Sequence, residues 1–163
     1  MSAIVALGSN LGDSANVLRE AMARLQEFSD EPLLKSSLWQ TTPVDCPPGS
    51  PKFVNAVIGL VPRKDETPET LLRKLQALER QLGRMPKKII NEPRPLDLDL
   101  IAYDREIRDS RELTLPHPRA HRRRFVLQPL SEIAPDLRLP GQTGSVSQLL
   151  AELSDAEVVK RLD

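Results

Sequence analysis

Leucine and aspartate alternate from Leu96 to Leu100, and a period of two is that of a β-strand. Leu96, Leu98 and Leu100 share one face, suited to a core, while Asp97 and Asp99 stand side by side on the other. Ala3 to Leu7 is an unbroken apolar run, the pattern of a buried strand. Leu33 to Thr42 and Phe53 to Val61 read as two more strands. Val17, Leu18, Ala21, Leu25 and Phe28 recur at helical spacing, as do Leu71, Leu72, Leu75, Leu78 and Leu82. Asp13 is placed to cap the first helix and Asp30-Glu31-Pro32 to break it. Thr67 caps the second, with Pro68 at its first position and Gly83 at its end. Further along, Asp104-Arg105-Glu106 forms a turn, and Glu106-Ile107 and Leu113-Thr114-Leu115 read as short strands. Phe125 to Ile133 reads as a helix stopped by Pro135, and the tail from Ser145 as one or two small helices.

In order, these elements predict an α+β fold. Its centre is a ferredoxin-like βαββαβ core with additional C-terminal strands and helices, in α/β/α layers. A chain of 163 residues suits one domain, 1–163, with a sizeable core. Lysine plus arginine balance aspartate plus glutamate, 23 against 23, so no general basic surface points to nucleic acid or an anionic membrane. Cys46 is the only cysteine, which rules out an internal disulfide and fits a reducing compartment. With two histidines and one cysteine, a structural zinc site is not expected. The N-terminal Met-Ser-Ala-Ile-Val has no basic region and enters a strand at once, so a cytoplasmic protein is the expectation. A monomer is expected as well.

The aspartate pair admits two readings. Neighbouring carboxylates repel, and a hard cation such as Mg²⁺, which takes oxygen ligands and shares them with substrate phosphates, would relieve them. Alternation of this kind is also simply that of a half-exposed antiparallel strand. Arg94 just upstream suits bidentate phosphate contact, with Pro93 and Pro95 stiffening the chain around it. Arg84, Lys87 and Lys88 make the preceding loop positive, either as a phosphate partner or as a solvated loop. Asn55 lies among apolar residues, where an amide needs partners, so it makes a structural bond or reads a ligand. His117 between prolines is a phosphate donor, an acid-base group or a structural bond. The Arg122-Arg123-Arg124 run precedes Phe125, which suggests that at least one arginine turns inward. Trp39 reads as a core residue and Cys46 as an inert thiol. Gly8-Ser9-Asn10-Leu11-Gly12-Asp13 lacks the lysine of a P-loop and reads as a strand-to-helix turn.

Taken together, several segments resemble the 6-hydroxymethyl-7,8-dihydropterin pyrophosphokinase family of folate biosynthesis, over roughly residues 3 to 140. They are Ala6-Leu7-Gly8-Ser9-Asn10-Leu11-Gly12, Thr42-Pro43, Phe53-Val54-Asn55-Ala56, Glu79 to Arg84, Pro93-Arg94-Pro95-Leu96-Asp97-Leu98-Asp99, and Leu115-Pro116-His117-Pro118 through Arg123, Phe125 and Pro129-Leu130. The resemblance implies transfer of the β,γ-diphosphate of ATP to the pterin's hydroxymethyl oxygen, with release of AMP. It implies that Asp97 and Asp99 bind two Mg²⁺ ions, and that Glu79, Arg84, Arg94, His117 and Arg123 contact ATP. Arg84 and Arg94 join the aspartates as the residues expected to act on the transferred group. Thr42, Pro43, Val44 and Asn55 match the pterin pocket, Phe53 and Phe125 its aromatic walls, and Gly8 and Asn10 its edge.

Some positions depart from the family pattern. Asn91 stands where many members have an aromatic residue, Glu92 where they have glycine, and Pro86 and Glu112 where some carry arginine. The loops 43–51 and 84–95 are expected as lids that exclude water. Rival readings are a non-catalytic ligand-binding module, a kinase that releases ADP, and a nucleic-acid-binding domain, the last opposed by the balanced charge.

Overall fold

The computed structural model describes residues 2–10, 13–42, 52–83, 96–153 and 158–162. The strands are β1 (Ala3–Ser9), β2 (Leu34–Lys35), β3 (Trp39–Thr42), β4 (Phe53–Leu60), β5 (Asp97–Tyr103), β6 (Arg108–Asp109), β7 (Thr114–Leu115) and β8 (Val158–Arg161). The α-helices are α1 (Ser14–Leu25), α2 (Pro68–Leu82), α3 (Arg124–Ile133) and α4 (Val146–Glu152). The main sheet runs β5-β1-β4-β3-β8, with β2 also on β4, and all of its pairings are antiparallel. The fold is α+β.

Alternation along the strands divides the apolar residues between two cores. Ala3, Val5 and Leu7 of β1, Ala56, Ile58 and Leu60 of β4, and Leu96, Leu98 and Leu100 meet the leucine stripes of α1 and α2. Ile4, Ala6 and Val57 face the opposite way, toward Val126, Leu127 and Leu130 of α3 and Val146 of α4. The central strands are therefore buried on both faces near the middle of the sheet, which explains the unbroken apolar run at Ala3 to Leu7. Thr67 and Thr70 form a reciprocal capping box at the start of α2, and Pro68 is its first residue.

Four local expectations are corrected. Leu33 to Thr42 is not one strand. Lys35 faces Ile58 and Trp39 faces Asn55, so four steps on one side meet three on the other. Ser36 fills the offset, its Oγ accepting from Val57 N at 2.9 Å. Asp13 does not cap α1 through its side chain; its carboxylate accepts from Asn16 Nδ2 at 2.5 Å. Trp39 is half-buried rather than core, because its indole reaches out to Glu132. The tail forms α4 and then β8, a strand on the open edge of β3. Among the described residues no helix is long and apolar enough to cross a membrane.

Candidate active site

Sheet register assembles the site. Asp97 of β5 and Asn55 of β4 both lie opposite Gly8 of β1, and Trp39 of β3 lies opposite Asn55. One row further along, Asp99 lies opposite Ala6; in the other direction Phe53 lies opposite Thr41. Directly opposed residues share a face. Asp97, Asp99, Asn55, Phe53 and Thr41 therefore project on the side where α3 covers Ala6 and Val57. Asn10 follows β1 directly and is half-buried, and Thr42 closes β3 opposite Val158.

At one end of this face are Asp97 and Asp99, both exposed. Their neighbours on β1 are Gly8 and Ala6, so the adjoining strand presents only a hydrogen and a methyl group beside the carboxylates. Exposed carboxylate oxygens fit a hard, partly hydrated cation. Among the described residues no group of three or more His, Cys, Asp or Glu is arranged to enclose a metal. A cation held here would complete its shell with water and substrate oxygens. Glu79 of α2 accepts from Leu98 N at 2.9 Å, which ties α2 to the strand segment between the two aspartates.

The other end is an amide site. Asn55 is 7% exposed, and its Oδ1 accepts from Thr41 Oγ1 at 3.0 Å. A Cβ on Gly8 would lie 3.0 Å from Asn55 Nδ2, so any larger residue here presses on the Asn55 amide. Phe53, 37% exposed, offers its ring on the same face. Phe125, in the first turn of α3, packs partly against the second core, and the Arg123 guanidinium carbon lies 5.3 Å from its ring centroid, a cation–π contact.

His117 stands between the two charge signs. Its backbone N–H donates to Ile101 O at 2.8 Å, which fixes it beside β5. Burial pushes its pKa below the ordinary 6.5, while the negative charge of Asp99 acts in the opposite direction and Arg123 and Arg119 add to the lowering. Its Nδ1 accepts from Arg119 N at 3.2 Å, so the neutral ring carries its proton on Nε2. The result is an uncharged N–H donor near Asp99. Within the arginine run, Arg123 and Arg124 are half-buried and Arg122 is exposed, with Arg122 Nε donating to His121 Nε2 at 3.2 Å.

Of the residues expected from sequence, Gly8, Phe53, Asn55, Asp97 and Asp99 share one sheet face, and His117, Arg123 and Phe125 come from the segment that covers it. Pro43, Val44, Cys46, Arg84, Pro86, Asn91, Glu92, Arg94 and the loops 43–51 and 84–95 lie outside the described residues. Glu112 is paired with Arg73 of α2, Nη2 to Oε1 at 3.1 Å. Thr41, the donor to Asn55, is not a candidate that the sequence marks out. Thr41 carries no local signal, because its partner Asn55 is chosen by sheet register.

A family model described as 7,8-dihydro-6-hydroxymethylpterin-pyrophosphokinase matches residues 4–135. The chain is similar to the 2-amino-4-hydroxy-6-hydroxymethyldihydropteridine pyrophosphokinase of Haemophilus influenzae, 35% identical over 161 residues and 98% of each chain. It is 38% identical over 152 residues to the enzyme of that name from Synechocystis, covering 93% of this chain and 75% of that one. Among solved structures, Plasmodium falciparum HPPK-DHPS with pteroate superposes with a TM-score of 0.71 at 10% identity, a likeness of fold; it covers 93% of this chain, which spans 44% of that longer one. The match of sequence across nearly its whole length, on a sheet that sets a carboxylate pair beside a buried amide, means that the chain belongs to the 7,8-dihydro-6-hydroxymethylpterin pyrophosphokinase family, ATP-dependent enzymes of folate biosynthesis.

Proposed function

We propose that this sheet face binds both substrates, the ATP phosphates at Asp97 and Asp99 and the pterin at Asn55, and that the β,γ-diphosphate passes to the hydroxymethyl oxygen with release of AMP. The observation that carries the reading is the row Asp97-Gly8-Asn55. It separates the phosphate end from the ring-reading amide by two strand spacings, roughly 9.5 Å, a span suited to a bicyclic ring with its hydroxymethyl arm. The same reading takes 1–163 as one domain with a ferredoxin-like βαββαβ core, supported by the order β5-β1-β4-β3 and by two cores that share β1, β4 and β5. It also takes the protein to be monomeric and cytoplasmic.

Each residue has a role in this scheme. Asn55, held in orientation by Thr41, presents Nδ2 to the pterin's amide-like edge. Phe53 and Phe125 stack on its faces, and Gly8 and Asn10 border it, with Thr42, Pro43 and Val44 completing the pocket. His117, neutral and donating through Nε2, Arg123, Arg84 and Arg94 hold phosphate oxygens, and Glu79 fixes the strand that carries the aspartates. Asp97 and Asp99 would hold Mg²⁺, two ions in the family pattern, which supplies charge neutralisation to the triphosphate when bound. Transfer of this type depends on alignment and electrostatics more than on a strong base.

The test is a product assay with ATP, Mg²⁺ and 6-hydroxymethyl-7,8-dihydropterin that separates AMP from ADP. AMP and pterin diphosphate are expected, both lost in Asp97→Ala. ADP as product would overturn the reaction, and full activity in the variant would overturn the metal assignment.

A further inference from the structure

Glu132 lies near the end of α3, exposed to solvent. Its carboxylate accepts three hydrogen bonds from the entry to β3. Ser37 N and Trp39 Nε1 donate to Oε1 at 3.0 and 2.6 Å, and Ser37 Oγ donates to Oε2 at 2.8 Å. Both oxygens are engaged, and the three bonds are short and directional.

The position of the two ends gives this link its consequence. Glu132 follows Phe125 by seven residues, which keeps both on one stripe of the helix, about 10 Å apart along its axis. Trp39 lies opposite Asn55 and two residues before Thr41, the donor to the Asn55 amide. The carboxylate thus joins the helix that carries one aromatic wall to the strand that orients the ring-reading amide. Among the described residues α3 also packs on the sheet through apolar contacts, Val126, Leu127 and Leu130 against Ile4, Ala6 and Val57. Such burial holds a helix down but is non-directional and sets its slide along the sheet only weakly.

We infer that Glu132 is a positioning residue for the pterin: through Ser37 and Trp39 it sets the spacing between the Phe125 ring and the Asn55–Thr41 face. The inference rests on the proposed pterin contacts of Phe125 and Asn55. A flat ligand between two walls is sensitive to that spacing, because opening a contact by about 0.5–1 Å forfeits roughly a quarter to a half of its dispersion energy.

The experiment compares wild type with Glu132→Gln, Glu132→Ala and Trp39→Phe, measuring kcat, KM for each substrate, thermal stability and Trp39 emission. Trp39 is the only tryptophan, so loss of its bond to the carboxylate reads directly in the spectrum. The expected result is a KM for the pterin raised about tenfold in Glu132→Ala, the equivalent of one such bond. Glu132→Gln, which keeps one acceptor, falls between, and KM for ATP stays within about twofold. Trp39→Phe removes only the indole donor and shifts the same parameter, which keeps the test decisive if the Glu132 variants fold poorly. Lower thermal stability with both KM values unchanged, or an unaltered Trp39 emission, would overturn the inference and leave the site reading standing. Absence of pterin turnover and binding in the wild type would overturn the site reading, and the positioning role with it.

Discussion

Replacing Gly8 by alanine tests the amide site by space alone. Gly8 lies within β1, where alanine fits the backbone, so the added methyl acts through its surroundings. It would stand 3.0 Å from Asn55 Nδ2, against ordinary van der Waals contacts of about 3.5 Å. Asn55 must then give way by a few tenths of an ångström. Its Oδ1 is held by Thr41 Oγ1 at 3.0 Å, and such a shift stretches or breaks that bond at a position that is 7% exposed. Overpacking costs about 1–3 kcal/mol. For a domain of this size that lowers Tm by roughly 2–4 °C per kcal/mol. Displacing the amide also weakens pterin binding, by about tenfold if one hydrogen bond is lost. The assay is a double-mutant cycle with Asn55→Ala, read by thermal denaturation and by calorimetric pterin titration. With Asn55 truncated, Gly8→Ala should cost little, because the atom it strikes is gone. Equal costs in the two backgrounds, or an unchanged pterin affinity in the single variant, would refute the steric coupling.

Other perturbations probe the remaining groups. Asp99→Asn removes one anionic oxygen ligand while keeping its shape, and should lower kcat by about 10²-fold or more, with a raised Mg²⁺ requirement in a metal titration; an unchanged Mg²⁺ dependence would exclude Asp99 as a ligand. His117 has a native pKa below its unfolded value, chiefly through burial, so its neutral form is favoured. Its contribution to stability is complete above about pH 6.5 and is lost as the pH falls through the native pKa. His117→Gln should therefore flatten the decline of Tm between about pH 7 and 5 in metal-free protein, and a parallel decline would contradict this. Tyr103 is buried, and its hydroxyl donates to Glu66 O at 2.8 Å. Tyr103→Phe should cost about 1 kcal/mol in urea unfolding. Burial, and after it the charge of Glu66, raises the phenol pKa above 10, so ultraviolet titration should show its ionisation delayed relative to the unfolded chain.

Side-chain periodicity is a local property, and the elements that depend on it were legible in the chain. Leu96, Leu98 and Leu100 enter the first core while Asp97 and Asp99 stay exposed, as strict alternation requires. The leucine stripe of α2 and its Thr67-Pro68 start follow from helix geometry and capping, again within a few residues. Gly8, Asn55, Asp97 and Asp99 were each identifiable as candidates, but their arrangement was not. Gly8 and Asp97 are 89 positions apart, and only pairing of β1 with β5 makes them neighbours. The same pairing carries a shift at Ile4/Val5, where Val5 faces Leu100 and Ile4 faces Ala102. Ile101 is the extra residue, and Ala102 and Tyr103 thereby exchange the faces that alternation would assign them. Val158–Arg161 has no pattern that separates a strand from a short helix, and becomes β8 because β3 offers it an unpaired edge. Glu132 reads as one more exposed helix carboxylate until packing of α3 sets it against Ser37 and Trp39. Period and capping are decided by neighbours along the chain, whereas register, bulges and cross-element bonds are decided by which distant segments can bury their faces together.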